Sequence, residues 1–310
     1  METNSHSQNP QPGASLKISF PRTTNQSVPQ KKVLFSTTAV QAPLQTGIPN
    51  LPPIKDSALD NLCGLGNPSG PGQYPWVVAL YKRGNYIGGG SLIAPGVVLT
   101  AAHLVMNISA NEIVVRAGEW DMASTSEQFR HEERSVVRVE PHEDFSFEAS
   151  TNNIALLYLK SPLELKAHIR TICLPGEGKT FDQKSCLMAG WGKRSFQDPY
   201  NSSKQKSVEM PMVKREDCQN QFRRTRLHRN FELHESLICA GGQRDKDACT
   251  ADDGSPLFCA LDNDPNRYEQ AGIVSFGIGC SQANVPGTFT NVAMFRDYID
   301  EKLAGGTFEL

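Results

Sequence analysis

No apolar run in this sequence is long enough to cross a bilayer. Pro95-Gly96-Val97-Val98-Leu99 is representative, far short of the roughly 20 residues a spanning helix needs. Charge of one sign is also missing: the formal net charge is −2, which gives no bias toward nucleic acid or an anionic membrane. There is no Cys-x-x-Cys pair and no His-x-x-x-His, so the eight cysteines do not read as zinc ligands, and no metal or other cofactor is expected. An even cysteine count favours disulfides, and disulfides imply an oxidising, extracellular setting. A secretory leader is missing too: Met1-Glu2-Thr3-Asn4-Ser5 opens a polar segment without an apolar core. The two signals conflict, and the cysteines carry more weight. Sequons at Asn25, Asn107 and Asn201 agree with secretion as N-glycosylation acceptors. No internal repeat stands out.

What is present divides at about residue 60. Residues 1–60 are rich in Ser, Thr, Gln, Asn and Pro, contain no cysteine, and lack helical or alternating periodicity. Such a segment cannot bury enough apolar surface to fold alone and reads as a flexible tail. Residues 61–310 read as the folded part. Trp76–Tyr81 forms a strand pattern closed by an Arg83-Gly84-Asn85 turn. Ser91–Ile93 and Val97–Thr100 follow around Pro95-Gly96, and further short strands are expected at 113–116, 135–139, 155–159, 185–189, 207–211, 256–260, 271–276 and 288–291. Many short strands between turns suggest an antiparallel barrel or sandwich. Ala293–Asp300 has apolar residues at helical spacing and is expected to form a C-terminal helix.

The stretch Cys249-Thr250-Ala251-Asp252-Asp253-Gly254-Ser255-Pro256-Leu257-Phe258-Cys259 resembles the nucleophile loop of chymotrypsin-like serine proteases, Gly-Asp-Ser-Gly-Gly-Pro-Leu between two cysteines. Asp253 stands in the serine's slot and Ala251 in that of the first glycine. Ser255 fills a later glycine's slot and is not read as a displaced nucleophile. Thr100-Ala101-Ala102-His103 matches the segment of the catalytic histidine. Asn152-Asn153-Ile154-Ala155-Leu156 matches that of the catalytic aspartate, with Asn153 in its slot. Ala189-Gly190-Trp191-Gly192 matches a family signature. Ser275-Phe276-Gly277 matches the substrate-binding strand, and Pro286-Gly287 the far wall of the specificity pocket. Ala117–Asp121, Thr171–Pro175 and the run from Phe231 to Gly242 resemble more closely the serine protease homologues of arthropod haemolymph, the clip-domain group. No cysteine precedes Cys63, so the six-cysteine clip module is not expected in this chain.

The resemblance implies an all-β fold of two packed six-stranded antiparallel barrels with a C-terminal helix. It implies four bridges: Cys63–Cys173, Cys186–Cys259, Cys218–Cys239 and Cys249–Cys280. A further family bridge would fall on Gly88 and Leu104, both changed together. It places Asp247 on the pocket floor, where trypsin-like members hold an acid. Glu119 and Glu127 fall where the family has carboxylates of a calcium loop, but the loop is about two residues short. Arg223, Arg224, Arg226 and Arg229 make a basic cluster that reads first as a solvated face. Family catalysis needs a serine, a base and an orienting carboxylate, and only His103 of the three remains. The expectation is therefore a secreted pseudoprotease that docks extracellular proteases or their substrates, as a cofactor in an immune cascade such as prophenoloxidase activation. The alternatives are an active trypsin-like endopeptidase and an extracellular adhesion protein. Relatives are activated by cleavage after a basic residue, and the new ammonium pairs with the acid at the place of Asp252. Here no Arg or Lys lies between Cys63 and Lys82, and that segment is shortened.

Overall fold

The computed structural model describes residues 63–67, 69–193, 200–243, 253–276 and 284–305. The first six strands are β1 (Val77–Lys82), β2 (Asn85–Ala94), β3 (Val97–Thr100), β4 (Ile113–Ala117), β5 (Glu132–Pro141) and β6 (Ala155–Leu159). They close into one antiparallel barrel in the order β1-β2-β3-β6-β5-β4. The turn between β1 and β2 is two residues, Arg83 and Gly84, both at positive φ (50° and 80°). That backbone matches the twist of a tight hairpin, which is why the chain can reverse there without a bulge at the tip. The other six are β7 (Ser185–Gly190), β8 (Lys206–Val213), β9 (Leu237–Ala240), β10 (Pro256–Ala260), β11 (Tyr268–Phe276) and β12 (Gly287–Asn291). They close as β10-β11-β12-β9-β8-β7.

Alternate residues of each strand fill the barrel interiors. Val78, Leu80, Leu92, Val98, Val115 and Leu157 pack in the first. Met188, Met210, Leu257, Ala271 and Phe289 pack in the second. A third cluster draws on both: Trp76, Leu99 and Leu156 with Trp191, Phe258 and Ile273. Trp76 meets Phe258 edge to face at 5.2 Å between ring centroids. This shared core sets one barrel against the other, and the catalytic-type loops converge above it.

Three α-helices accompany the strands: α1 (Ala102–Val105), α2 (Arg215–Phe222) and α3 (Arg296–Ala304). The C-terminal helix begins later than its apolar spacing suggests. Val292–Phe295 is a 3-10 turn, and α3 then runs four residues past Asp300. Disulfides join Cys63 to Cys173, Cys186 to Cys259 and Cys218 to Cys239. Cys249 and Cys280 lie outside the described residues. Gly88 and Leu104 are neighbours: a Cβ on Gly88 would lie 2.7 Å from Leu104 Cδ1. A leucine side chain thus occupies the space beside a glycine where relatives place a bridge.

Candidate functional site

His103 stands on α1, immediately after β3, and is half-buried at the junction of the barrels. Asn153 enters just before β6 and is 1% exposed. Its backbone is held from the second barrel: Thr290 Oγ1 donates to Asn153 O at 2.9 Å. The preceding Asn152 adopts φ +51°, and its N–H donates to Ser236 Oγ at 3.0 Å. These contacts leave the Asn153 side chain one orientation. Its Oδ1 accepts from the backbone N–H of His103 at 3.0 Å. Its Nδ2 lies 2.8 Å from His103 Nδ1 and donates to Ser275 Oγ at 2.8 Å.

The direction of those bonds fixes the proton on the ring. A backbone N–H only donates, so the amide oxygen must face it and the amide nitrogen must face the imidazole. An amide nitrogen only donates, so His103 Nδ1 is the acceptor. The neutral ring therefore carries its proton on Nε2. A carboxylate at this place would do the reverse, accepting from Nδ1–H and leaving Nε2 free to take a proton from a nucleophile.

Asp253 sits in a turn pinned across the barrel junction. Its carbonyl accepts from Gly89 N–H at 2.9 Å, and Gly254 N–H donates to Val274 O at 3.0 Å. Gly254 has φ +78°, and a Cβ there would come within 2.4 Å of Thr100 Oγ1 and 2.5 Å of Gly89 O. Only glycine allows the turn to press this closely on β2 and β3. The Asp253 carboxyl is pushed above its ordinary value by burial, while the charge of His103 pulls it down. A protonated or ionised carboxyl is a far poorer nucleophile than an activated alkoxide. Ser255 offers no substitute. It is fully buried, its Oγ has no hydrogen-bond partner, and it lies directly under Gly89.

Ser275 and Phe276 end β11, and Gly287 opens β12 opposite Ala240. A cleft of about 620 Å³ runs beside them, lined by Thr151, Leu227, Phe231, His234, Leu237 and Phe276 among others. Ala251, Asp252, Asp247 and Gly277 lie outside the described residues, as does Asn25. Asn107 and Asn201 are exposed. Glu119 is buried and spoken for: its Oε2 is 3.0 Å from both Arg116 Nη1 and His131 Nδ1, and its Oε1 accepts from Trp120 N–H. Glu127 Oε1 accepts from Asp121 N–H at 2.5 Å. An arginine thus supplies the positive charge in this loop.

Residues 65–299 match the family model described as Trypsin. The chain belongs to the trypsin family. It is 42% identical to phenoloxidase-activating factor 2 of Galleria mellonella over 77% of this chain and 83% of that protein. It is 37% identical to inactive CLIP domain-containing serine protease A8 of Anopheles gambiae, over 78% of this chain and 72% of that protein. Inactive CLIP domain-containing serine protease A3 of Aedes aegypti is 40% identical over 74% of this chain, but only 48% of that protein is covered. Within this trypsin-family site, sequence reasoning named His103, Asn153, Asp253 and Ser275 but missed Thr290 and Ser236. Both act through hydroxyls far along the chain, and neither stands in a catalytic motif.

Proposed function

We propose that this trypsin-family chain is a secreted pseudoprotease that acts by binding, as a cofactor or regulator in an extracellular protease cascade. Its partners are extracellular proteases or their substrates, within arthropod innate immunity and melanisation, including the prophenoloxidase system. Similarity to a phenoloxidase-activating factor and to CLIP proteases named as inactive supports the setting. Secretion is supported by the disulfides, with Asn107 and Asn201 as accessible glycosylation acceptors. Residues 1–60 serve as a tail to the domain that follows.

The observation that carries the loss of catalysis is the Asn153 amide, whose N–H faces His103 Nδ1. The ring that should accept a proton at Nε2 already holds one there, and Asp253 supplies no hydroxyl to attack. In this family an amide in place of the aspartate costs about four orders of magnitude in turnover by itself. The test is labelling with a fluorophosphonate probe together with hydrolysis of a fluorogenic Arg substrate, before and after trypsin treatment. Neither labelling nor turnover above an Asp253→Ala control is expected. Site-specific labelling would instead establish an active trypsin-like endopeptidase. Crosslinking in haemolymph followed by identification of the bound protein tests the cascade role; recovery of only matrix or adhesion proteins would overturn it.

A further inference from the structure

The loop after α2 carries Phe222-Arg223-Arg224-Thr225-Arg226-Leu227-His228-Arg229, four arginines and a histidine in eight residues. It is not a loose string. Thr225 Oγ1 donates to Phe222 O at 2.6 Å, Arg224 N–H to Gln221 O at 3.1 Å, and Phe231 N–H to His228 O at 3.0 Å. His228 takes φ +65° to make the reversal. Phe222, Leu227 and Phe231 turn inward onto the cluster around the Cys218–Cys239 bridge. Arg223 is used internally, its Nε donating to Phe231 O at 2.9 Å. Arg224, Arg226, His228 and Arg229 are left exposed on the outer face.

Those three outer arginines form no ion pair among the described residues. Carboxylates are not scarce nearby: Glu148 and Glu232 share the cleft wall with Arg226, yet neither pairs with it. Nor is the domain basic. Residues 1–62 hold five basic and three acidic side chains, so the remainder of the chain carries a net charge of −4. The loop is a fixed positive island on an acidic body. Bulk attraction to polyanions is therefore not the reason for it; local recognition is.

We propose that this loop binds a sulfated polysaccharide of the heparin class. Guanidinium groups match sulfate oxygens through paired N–H donors, and closely spaced arginines on an ordered loop lose little freedom when a linear polyanion is laid across them. An acidic peptide seated in the adjoining cleft would bring its carboxylates against Glu148 and Glu232. A glycan chain running over the outer face meets Arg224, Arg226 and Arg229 without entering the cleft. The inference does not depend on the loss of peptidase activity. It would place the chain on sulfated extracellular matrix.

The test uses the full chain and a heparin decasaccharide. The intact protein is expected to be retained on immobilised heparin at about 0.15 M NaCl. The variant R224A/R226A/R229A keeps Arg223 and its bond to Phe231, so its melting temperature should not change. Its affinity for the decasaccharide should fall at least about tenfold, and the slope of log affinity against log salt should flatten by about three. The basic residues of 1–62 are common to both proteins and cancel in the comparison. Equal elution of the two proteins would overturn the proposal. So would competition by desulfated heparin, by polyglutamate or by duplex DNA as strong as that by heparin.

Discussion

The Asn153 amide has each of its hydrogen-bonding directions filled: Oδ1 by His103 N–H, and Nδ2 by His103 Nδ1 and Ser275 Oγ. A prediction follows for the ring it faces. Nitrogen-15 spectra of His103 should show Nε2 protonated and Nδ1 bare, and Asn153→Asp should exchange them. A protonated Nδ1 in the unaltered chain would mean the amide is turned the other way. Asp253 gives a second prediction. Its folded-state pKa is raised by burial, so the folded state holds the proton more tightly than the unfolded one. Its contribution to stability is full below the ordinary value of 3.8 and is lost as pH rises through the folded value. Asp253→Asn should therefore raise the melting temperature at about pH 7 and change little at about pH 3. An equal difference at both would exclude the carboxyl's charge as its cause. The three triad positions were legible in the sequence because each sits in a short motif. The tautomer was not, because it rests on Ser275, 122 residues further along the chain from Asn153.

Strand β9 and helix α2 were the elements that the sequence pattern concealed. Leu237-Ile238-Cys239-Ala240 is a continuous apolar run of four, with no alternation to separate a strand from a buried loop. Helix α2 buries only Cys218 and Phe222, one turn apart, so its apolar stripe is too short to show a period. It is held by its bridge to β9 rather than by a broad apolar face. The strands with clear turns at their ends, such as β1 and β3, lie within a residue of where the pattern put them. At the junction of β2 and α1, Gly88 has φ +153°, and its missing Cβ is what makes room for Leu104. Gly88→Ala should cost about 1–3 kcal/mol by overpacking. Leu104→Ala should cost stability on its own, but much less in the Gly88→Ala background. Denaturant melts of the four-protein cycle check this; strict additivity would mean the two sites do not touch. The shared core gives a larger effect. Phe258→Ala, which empties a fully buried site between Trp76, Tyr74 and Tyr268, should cost about 3–5 kcal/mol in the same measurement.

At the scale of the whole molecule, the first described segment bears on whether the triad could be repaired. In active relatives an ammonium freed by cleavage inserts beside the acid preceding the nucleophile and shapes the oxyanion hole. Here the residues at that point of the chain are bound elsewhere. Cys63 is bridged to Cys173, and Arg267 Nε donates to Cys63 O at 2.9 Å. Gly64 N–H donates to Thr171 O at 2.8 Å, and Gly64 O accepts from Tyr268 N–H at 2.9 Å. The fit is close enough that a Cβ on Gly64 would meet Tyr268 O at 2.1 Å. From Gly64 to Trp76 only short turns remain, such as Gln73 N–H to Gly70 O at 3.0 Å, with no basic residue for a trypsin-like activator to recognise. Cleavage at Lys55 would free residue 56, still upstream of the bridge. Restoring the carboxylate and the hydroxyl would return the ring to its working tautomer and supply a nucleophile, yet leave the oxyanion donors without the ion pair that arranges them. The double variant Asn153→Asp/Asp253→Ser is therefore expected to hydrolyse a small Arg ester no faster than Asp253→Ala, with or without trypsin treatment. Turnover of the untreated double variant above that control would show that this fold forms its oxyanion hole without an inserted N-terminus, and the shortened segment would no longer account for the loss of catalysis.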